Sequence, residues 1–218
     1  MDVARMAVGL LRSVWRTQDQ AGLIRRLLAD VKPATQRPVV FVETGCGLST
    51  LALLQVAERV GAELYSCELD PERIAALCSR VPDLSRRVHF LEGDSLASLA
   101  RIAARHEAID FALFDSAPSA THTLLEFQAL EPRLGAGARI ALDEAALPGA
   151  RLLLGPCRKG KLLVPYLLAS PVWRVSAHPR TSESMVSALY DRVGARADAD
   201  YEDPDYVAAL ERGLAPVR

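Results

Sequence analysis

The chain has 218 residues, half of them hydrophobic and 24% charged, with a formal net charge of −1. Such a composition supports one sizeable core, excludes global disorder, and offers no overall attraction to nucleic acid or to an anionic membrane. No run approaches the length of a membrane span, and the first residues carry Asp2 and Arg5 without a small-residue cleavage pattern, so neither a span nor a signal peptide is expected. The four cysteines, Cys46, Cys67, Cys78 and Cys157, form no Cys-x-x-Cys pair and have no histidine partner at zinc-finger spacing. They read as buried thiols of a cytoplasmic protein.

From Val3 to Trp15 the apolar residues Val3, Met6, Ala7, Leu10, Leu11, Val14 and Trp15 make a three-to-four-residue stripe, with Arg5, Arg12 and Arg16 off it. This predicts an amphipathic helix, and a second one follows over Ala21 to Ala29. Both precede the first strand and offer a cap or a homodimer surface. Alternating units come next. Val39 to Val42 reads as a strand, Thr50 to Val60 as a helix, and Glu63 to Cys67 as a strand. Asp70-Pro71 opens a further helix, with Asp as N-cap and Pro at the first position. Val88 to Leu91 is a strand before a helix from Asp94 to Ala104. Ile109 to Phe114 is a strand before a helix from Ser119 to Leu134, and Gly137 to Leu142 is the fifth strand. Strands alternating with helices at this pitch predict a parallel sheet covered on both faces.

After Pro148 the rhythm changes. Arg151 to Lys161 contains Gly155, Pro156 and Gly160 with basic residues Arg151, Arg158, Lys159 and Lys161, which reads as a solvated loop or helix edge. Val172 to Ala177 and Met185 to Tyr190 read as two strands joined too closely for a helix, hence antiparallel. The tail is acidic from Asp198 to Asp205, with a short helix begun by Asp203-Pro204 and stopped at Gly213.

The stretch from Glu43 to Thr50, ETGCGLST, lies between the first strand and its helix, and Gly45 and Gly47 there permit close approach of a ligand to the backbone. A carboxylate at the strand end is wrong for a pyrophosphate and right for a cationic ammonium or sulfonium. Each of the first five strands is followed by an acid: Glu43, Glu68, Asp94, Asp115, and Asp143 with Glu144. Ligands of open parallel sheets bind at these carboxyl ends, and acids gathered at one rim repel each other unless a cation or a hydroxyl-rich ligand joins them.

These motifs resemble those of class I S-adenosylmethionine (SAM) dependent methyltransferases over about Val39 to Tyr190. Glu43-Thr44-Gly45-Cys46-Gly47 matches the family's acid and Gly-x-Gly, Glu68 its ribose-holding acid, Gly93-Asp94 its pair beside the adenine, and Asp115 its fourth-strand acid. The resemblance implies a Rossmann-like, doubly wound α/β fold, with a mostly parallel seven-stranded sheet, a C-terminal antiparallel hairpin and helices on both faces. It implies cofactor contacts from Glu43, Thr44, Gly45, Gly47, Ser49, Glu68, Leu69, Gly93, Asp94, Ser95 and Asp115. The implied organisation is one domain over residues 1–218: cap helices in 1–36, a cofactor-binding half in 37–150, a substrate-side half in 151–195, and the tail in 196–218. The implied reaction is methyl transfer to a small-molecule acceptor, most simply at a hydroxyl oxygen.

FALFDSAP followed by ARIALDEA is similar to the metal-dependent catechol and caffeoyl-CoA O-methyltransferases of that family. The likeness implies Asp115, Asp143 and Glu144 as ligands of Mg²⁺ or another divalent cation. Two departures stand out. Glu144 replaces that branch's Asn, and Pro118 replaces its Lys, which leaves His122 beside Asp115 as the candidate base. Three alternatives remain open at this stage. They are an RNA or protein methyltransferase, a non-catalytic SAM-binding protein, and an NAD-dependent oxidoreductase, whose fingerprint shares the distance from the glycines to Glu68 but would put its third glycine at Thr50.

Overall fold

All six residues of β1 (Val39–Thr44) are buried, which places this strand at the centre of a sheet covered on both faces. The computed structural model describes residues 20–33, 36–145, 159–179 and 184–190. In it, β1 is joined by β2 (Ala62–Glu68), β3 (His89–Glu92), β4 (Ile109–Phe114), β5 (Leu134–Leu142), β6 (Trp173–Pro179) and β7 (Ser184–Tyr190). The order across the sheet is β3-β2-β1-β4-β5-β7-β6. Strands β1 to β5 are mutually parallel, whereas β7 runs antiparallel to both β5 and β6. The doubly wound sheet and closing hairpin expected from the alternation are therefore present.

Side-chain alternation along the central strands divides the core in two. Val40 and Val42 pack with Tyr65, Cys67, Phe114 and Phe127 on one face. Val39 and Phe41 pack with Leu53, Leu64, Phe111 and Leu113 on the other. The helices that supply these layers are α1 (residues 20–27), α2 (Leu48–Val60), α3 (Pro71–Arg80), α4 (Leu84–Arg87), α5 (Ser95–Arg105), α6 (Ala120–Leu130) and α7 (Gly160–Ala169). Their starts follow capping chemistry: Asp70 accepts from the Glu72 N–H, Asp94 from Ala97, and Ser119 from His122. Leu23 and Ile24 on α1 and Leu28 just after it are buried in the second core layer, so this apolar face is covered by the chain's own core rather than left for a partner.

Three features depart from the sequence reading. Helix α7 lies where a loop or helix edge was expected to give way directly to a strand. Leu162, Leu163, Val164, Leu167 and Leu168 make it apolar nearly all round, so no polar stripe marks its period, and Pro165 inside it argues against a helix. Helix α6 ends at Leu130 rather than Leu134, because Pro132 turns the chain through a 3₁₀ segment (Glu131–Arg133) directly into β5. The four-residue α4 was not anticipated. The expected helix over Val3 to Trp15, the basic residues Arg151 and Arg158, Cys157, and the acidic tail with its helix at Asp203-Pro204 lie outside the described residues. Among those described, no helix is long and apolar enough to cross a membrane.

At the end of the sheet away from the acids an ion pair fastens β4 to the segment that enters β1. Arg37 donates from both terminal nitrogens to Asp110, at 2.8 and 2.7 Å, and Asp110 Oδ2 also accepts from the Val40 N–H at 2.8 Å. Both side chains are partly exposed, so solvent screens the pair. Asp110→Asn is expected to lower unfolding stability by about 1–2 kcal/mol, the usual scale for a charge-assisted pair, while leaving ligand binding at the opposite end unchanged. Denaturant unfolding measures this directly, and a midpoint equal to wild type would show that the pair contributes nothing.

Candidate active site

The strand order reverses between β1 and β4: connections run one way to β2 and β3 and the other way to β5. A crevice opens at the carboxyl ends of such a pair. Here it is a cleft of about 400 Å³, lined by Gly45 to Ser49 on one side and by Asp115, Ser116, Asp143, Glu144 and Lys159 on the other. Gly45 adopts φ +86°, and a Cβ placed on it would lie 2.6 Å from the Asp115 carbonyl oxygen. The loop is thus pressed onto the end of β4 as closely as a bare backbone allows. Gly47 has an extended backbone, and a Cβ there would meet no protein atom within 4 Å. The space beside it belongs to the cleft.

Three N–H groups of this loop are engaged by the protein itself. Gly45 donates to the Cys67 carbonyl at 2.7 Å, Cys46 to Glu68 Oε2 at 3.0 Å, and Gly47 to Thr50 Oγ1 at 2.9 Å. A loop that cradles a pyrophosphate presents such groups to the ligand. This one gives its second N–H to a carboxylate, which would also repel a phosphate. Glu68 is nearly covered: Oε1 accepts from the Asp70 N–H at 3.0 Å, and Arg73 lies 3.4 Å from Oε2. Beside it Leu69 is 75% exposed, a large apolar surface at the lip of β2. Burial and the nearby Glu68 and Glu43 carboxylates push the Cys46 thiol up to about 12, so it is an inert wall of the cleft.

The acids anticipated along one rim occupy different depths. Glu43 is fully buried beneath the loop, where it accepts from Ser49 Oγ at 3.0 Å and Ser66 Oγ at 2.8 Å. Burial pushes its carboxyl up to about 7, against the opposing pull of hydrogen bonds from Thr50, Ser66 and Ser49. Glu43 therefore organises the loop from below and is not part of the cleft wall. Asp94 is exposed and caps α5, with Gly93 before it at φ +109° donating its N–H to the Glu68 carbonyl at 2.9 Å.

A further buried carboxylate was not expected from the sequence. Glu126 on α6 is inaccessible to solvent and accepts from Thr44 Oγ1 at 3.2 Å, Ser95 Oγ at 2.6 Å and Ser116 Oγ at 2.7 Å. One side chain thereby ties together the end of β1, the start of α5 and the segment just after β4. His122, one turn earlier on α6, points its Nε2 at Ser95 Oγ (2.8 Å) and Glu126 Oε1 (3.2 Å). Because the Ser95 hydroxyl donates to Glu126, its oxygen is left to accept from the imidazole N–H. Glu126 reads as a surface helical residue in sequence, and only the spacing of four from His122 hints at a shared face.

At the other side of the cleft Asp115, Asp143 and Glu144, the three expected metal-binding acids, share one wall with a cation that had been expected to face solvent. Lys159, buried just ahead of α7, places Nζ 2.6 Å from Asp115 Oδ1 and 4.0 Å from Glu144 Oε2. The other Asp115 oxygen accepts from Gln20 Nε2 at 3.2 Å, reaching in from α1. Burial pushes the Asp115 carboxyl above the usual carboxylate range and Asp143 adds to this, while Lys159 and Gln20 pull it back. Glu144 sits at φ 51°, a left-handed conformation that Asn tolerates and Glu adopts at a cost of roughly 1 kcal/mol. A Mg²⁺-type ion asks for carboxylate oxygens open to it at about 2.0–2.6 Å. Asp115 commits one oxygen to an ammonium and the other to an amide, and among the described residues no three His, Cys, Asp or Glu side chains converge as a metal site requires. As arranged, this donor set does not fit a divalent ion.

Residues 42–145 match a family model described as a methyltransferase domain. No curated protein matches the chain in sequence. Similar solved structures include the O-methyltransferase from Bacillus cereus in complex with S-adenosylhomocysteine (17% identity, TM-score 0.59, covering 80% of this chain and 81% of that one). They also include the O-methyltransferase TomG from Streptomyces achromogenes, involved in tomaymycin synthesis and solved in complex with SAM (15%, 0.58, 80% of each). A third is a Staphylococcus aureus protein provisionally assigned as a caffeoyl-CoA O-methyltransferase (14%, 0.59, 84% and 91%). At these identities the likeness to the three structures is one of fold.

Proposed function

We infer that this chain, a class I SAM-dependent methyltransferase, transfers the methyl group of SAM to a hydroxyl oxygen of a small-molecule acceptor. The observation that carries the reading is the cleft at the strand-order reversal, with a glycine loop fastened to a carboxylate on one side and a carboxylate–ammonium cluster on the other. Its residues fit the cofactor. The open space beside Gly47 admits a ligand against bare backbone, Glu68 suits a pair of ribose hydroxyls, and exposed Leu69 offers an apolar face to a purine. Gly93, Asp94 and Ser95 are assigned to the adenine side. The engaged N–H groups of Gly45, Cys46 and Gly47 and the carboxylate of Glu68 bound to one of them weigh against a dinucleotide.

SAM supplies an electrophilic methyl group on a sulfonium. The chain's own work is to position and desolvate the acceptor. Asp115, whose oxygens each keep a lone pair beside the bonds from Lys159 and Gln20, accepts the hydrogen bond of the acceptor hydroxyl there and takes its proton as the oxygen attacks. Glu126 and His122 hold the strand ends at which both ligands meet, and we assign His122 to that positioning network rather than to proton transfer.

Calorimetry with S-adenosylhomocysteine tests the cofactor site. Wild type is expected to bind, and Glu68→Ala to bind about 10- to 100-fold more weakly, the loss of roughly 1.4–2.8 kcal/mol that follows from removing a charged hydrogen-bond acceptor. Absence of heat with wild type overturns the assignment.

A further inference from the structure

We propose that Lys159 is the built-in cation of the acceptor site and holds the position that a divalent metal would take, so that the Asp115, Asp143 and Glu144 cluster works without one. The placement of Lys159 is unusual enough to need a cause. A positive charge at the start of a helix meets the positive end of the helix dipole, and a buried ammonium has lost its water. Both penalties are offset only by carboxylates, and the structure supplies them: Asp115 at 2.6 Å, Glu144 at 4.0 Å, and Asp143 close enough to raise Asp115 electrostatically.

The backbone holds this arrangement in place. A Cβ on Gly160 would lie 2.8 Å from Ala145 Cβ and 2.9 Å from Val164 Cγ2, so α7 starts flush against the residue that follows Glu144 and sets Lys159 beside the acids. A divalent ion bound to Asp115 would share an oxygen with this ammonium and lie within a few ångströms of it, where like charges repel strongly. The chain thus has Pro118 where the metal-dependent branch it resembles has a lysine, and brings a lysine into the cluster from a different element. An ammonium has three donors, and among the described residues Asp115 takes one. That a remaining donor receives the acceptor oxygen rests on the methyl-transfer reading; the exclusion of metal does not.

The test titrates Mn²⁺ into the full chain, followed by electron paramagnetic resonance of the free ion, with S-adenosylhomocysteine binding and thermal unfolding run as separate checks of the fold. Wild type is expected to leave 1 mM Mn²⁺ (roughly the weak end of protein cation sites) free. Lys159→Met, which keeps the length and removes the charge, is expected to bind Mn²⁺ at least tenfold more tightly than wild type, and adding Asp115→Asn to it is expected to abolish the gain. Wild-type binding that Asp115→Asn removes overturns the proposal. So does a folded Lys159→Met that binds no better than wild type. Should Lys159→Met fail to fold, Lys159→Gln and the wild-type titration decide the same question.

Discussion

Replacing Gly45 by alanine is expected to cost about 3 kcal/mol of folding stability, the sum of a left-handed backbone and an overpacked contact, and to weaken S-adenosylhomocysteine binding at least 100-fold. The contact is with backbone: the new methyl would lie 2.6 Å from the Asp115 carbonyl oxygen, and no side chain can swing aside to admit it. The loop would have to lift off β4, breaking the 2.7 Å bond from its own N–H to Cys67 and moving Cys46 away from Glu68. Gly47→Ala is the control. Its backbone is extended and its Cβ would meet nothing, so stability is expected to stay within about 1 kcal/mol of wild type while affinity falls, because the methyl occupies cleft space. Denaturant unfolding and calorimetry on the two variants separate the effects. If Gly47→Ala binds as wild type does, the cofactor does not lie over this loop.

Glu43→Gln is expected to stabilise the protein at pH 8 relative to pH 5, measured against wild type at each pH, by on the order of 2–3 kcal/mol. The sign follows from which state holds the proton. The folded carboxyl is raised to about 7 by burial, whereas the unfolded one releases its proton near 4.5. Between those values the folded state binds more protons than the unfolded one, so wild-type stability falls as pH rises through that window and levels off above it. The neutral amide has no proton to lose, and the contributions of other groups cancel in the difference. Unfolding curves of both proteins at several pH values read it out; parallel profiles would mean that Glu43 is ionised in the folded protein throughout.

Much of the parallel part of the sheet, β1 to β5 with the helices between them, is legible in the sequence. The alternation of strands and helices, the caps at Asp70, Asp94 and Ser119, and the glycine turn after β1 are local features, set by period, capping chemistry and the freedom of glycine. The same local rules misread α7, where an apolar surface on every side erased the period and Pro165 argued against a helix. The same rules marked Glu43 as ending a strand at the glycine loop but gave no sign of how deep it lies, because depth in the sheet is not written in a strand's own residues.

By itself, then, the sequence determined the sheet, its doubly covered faces and the acids that follow its strands, since each depends on neighbours a few positions apart. Tertiary structure alone decided what those acids do. Glu126 gathers hydroxyls from β1, from the start of α5 and from the end of β4. Lys159, 44 positions beyond Asp115, enters a cluster that sequence reasoning had offered to a metal. A charge's role depends on which opposite charge is buried beside it, and that pairing is made across strands and helices far apart in the chain.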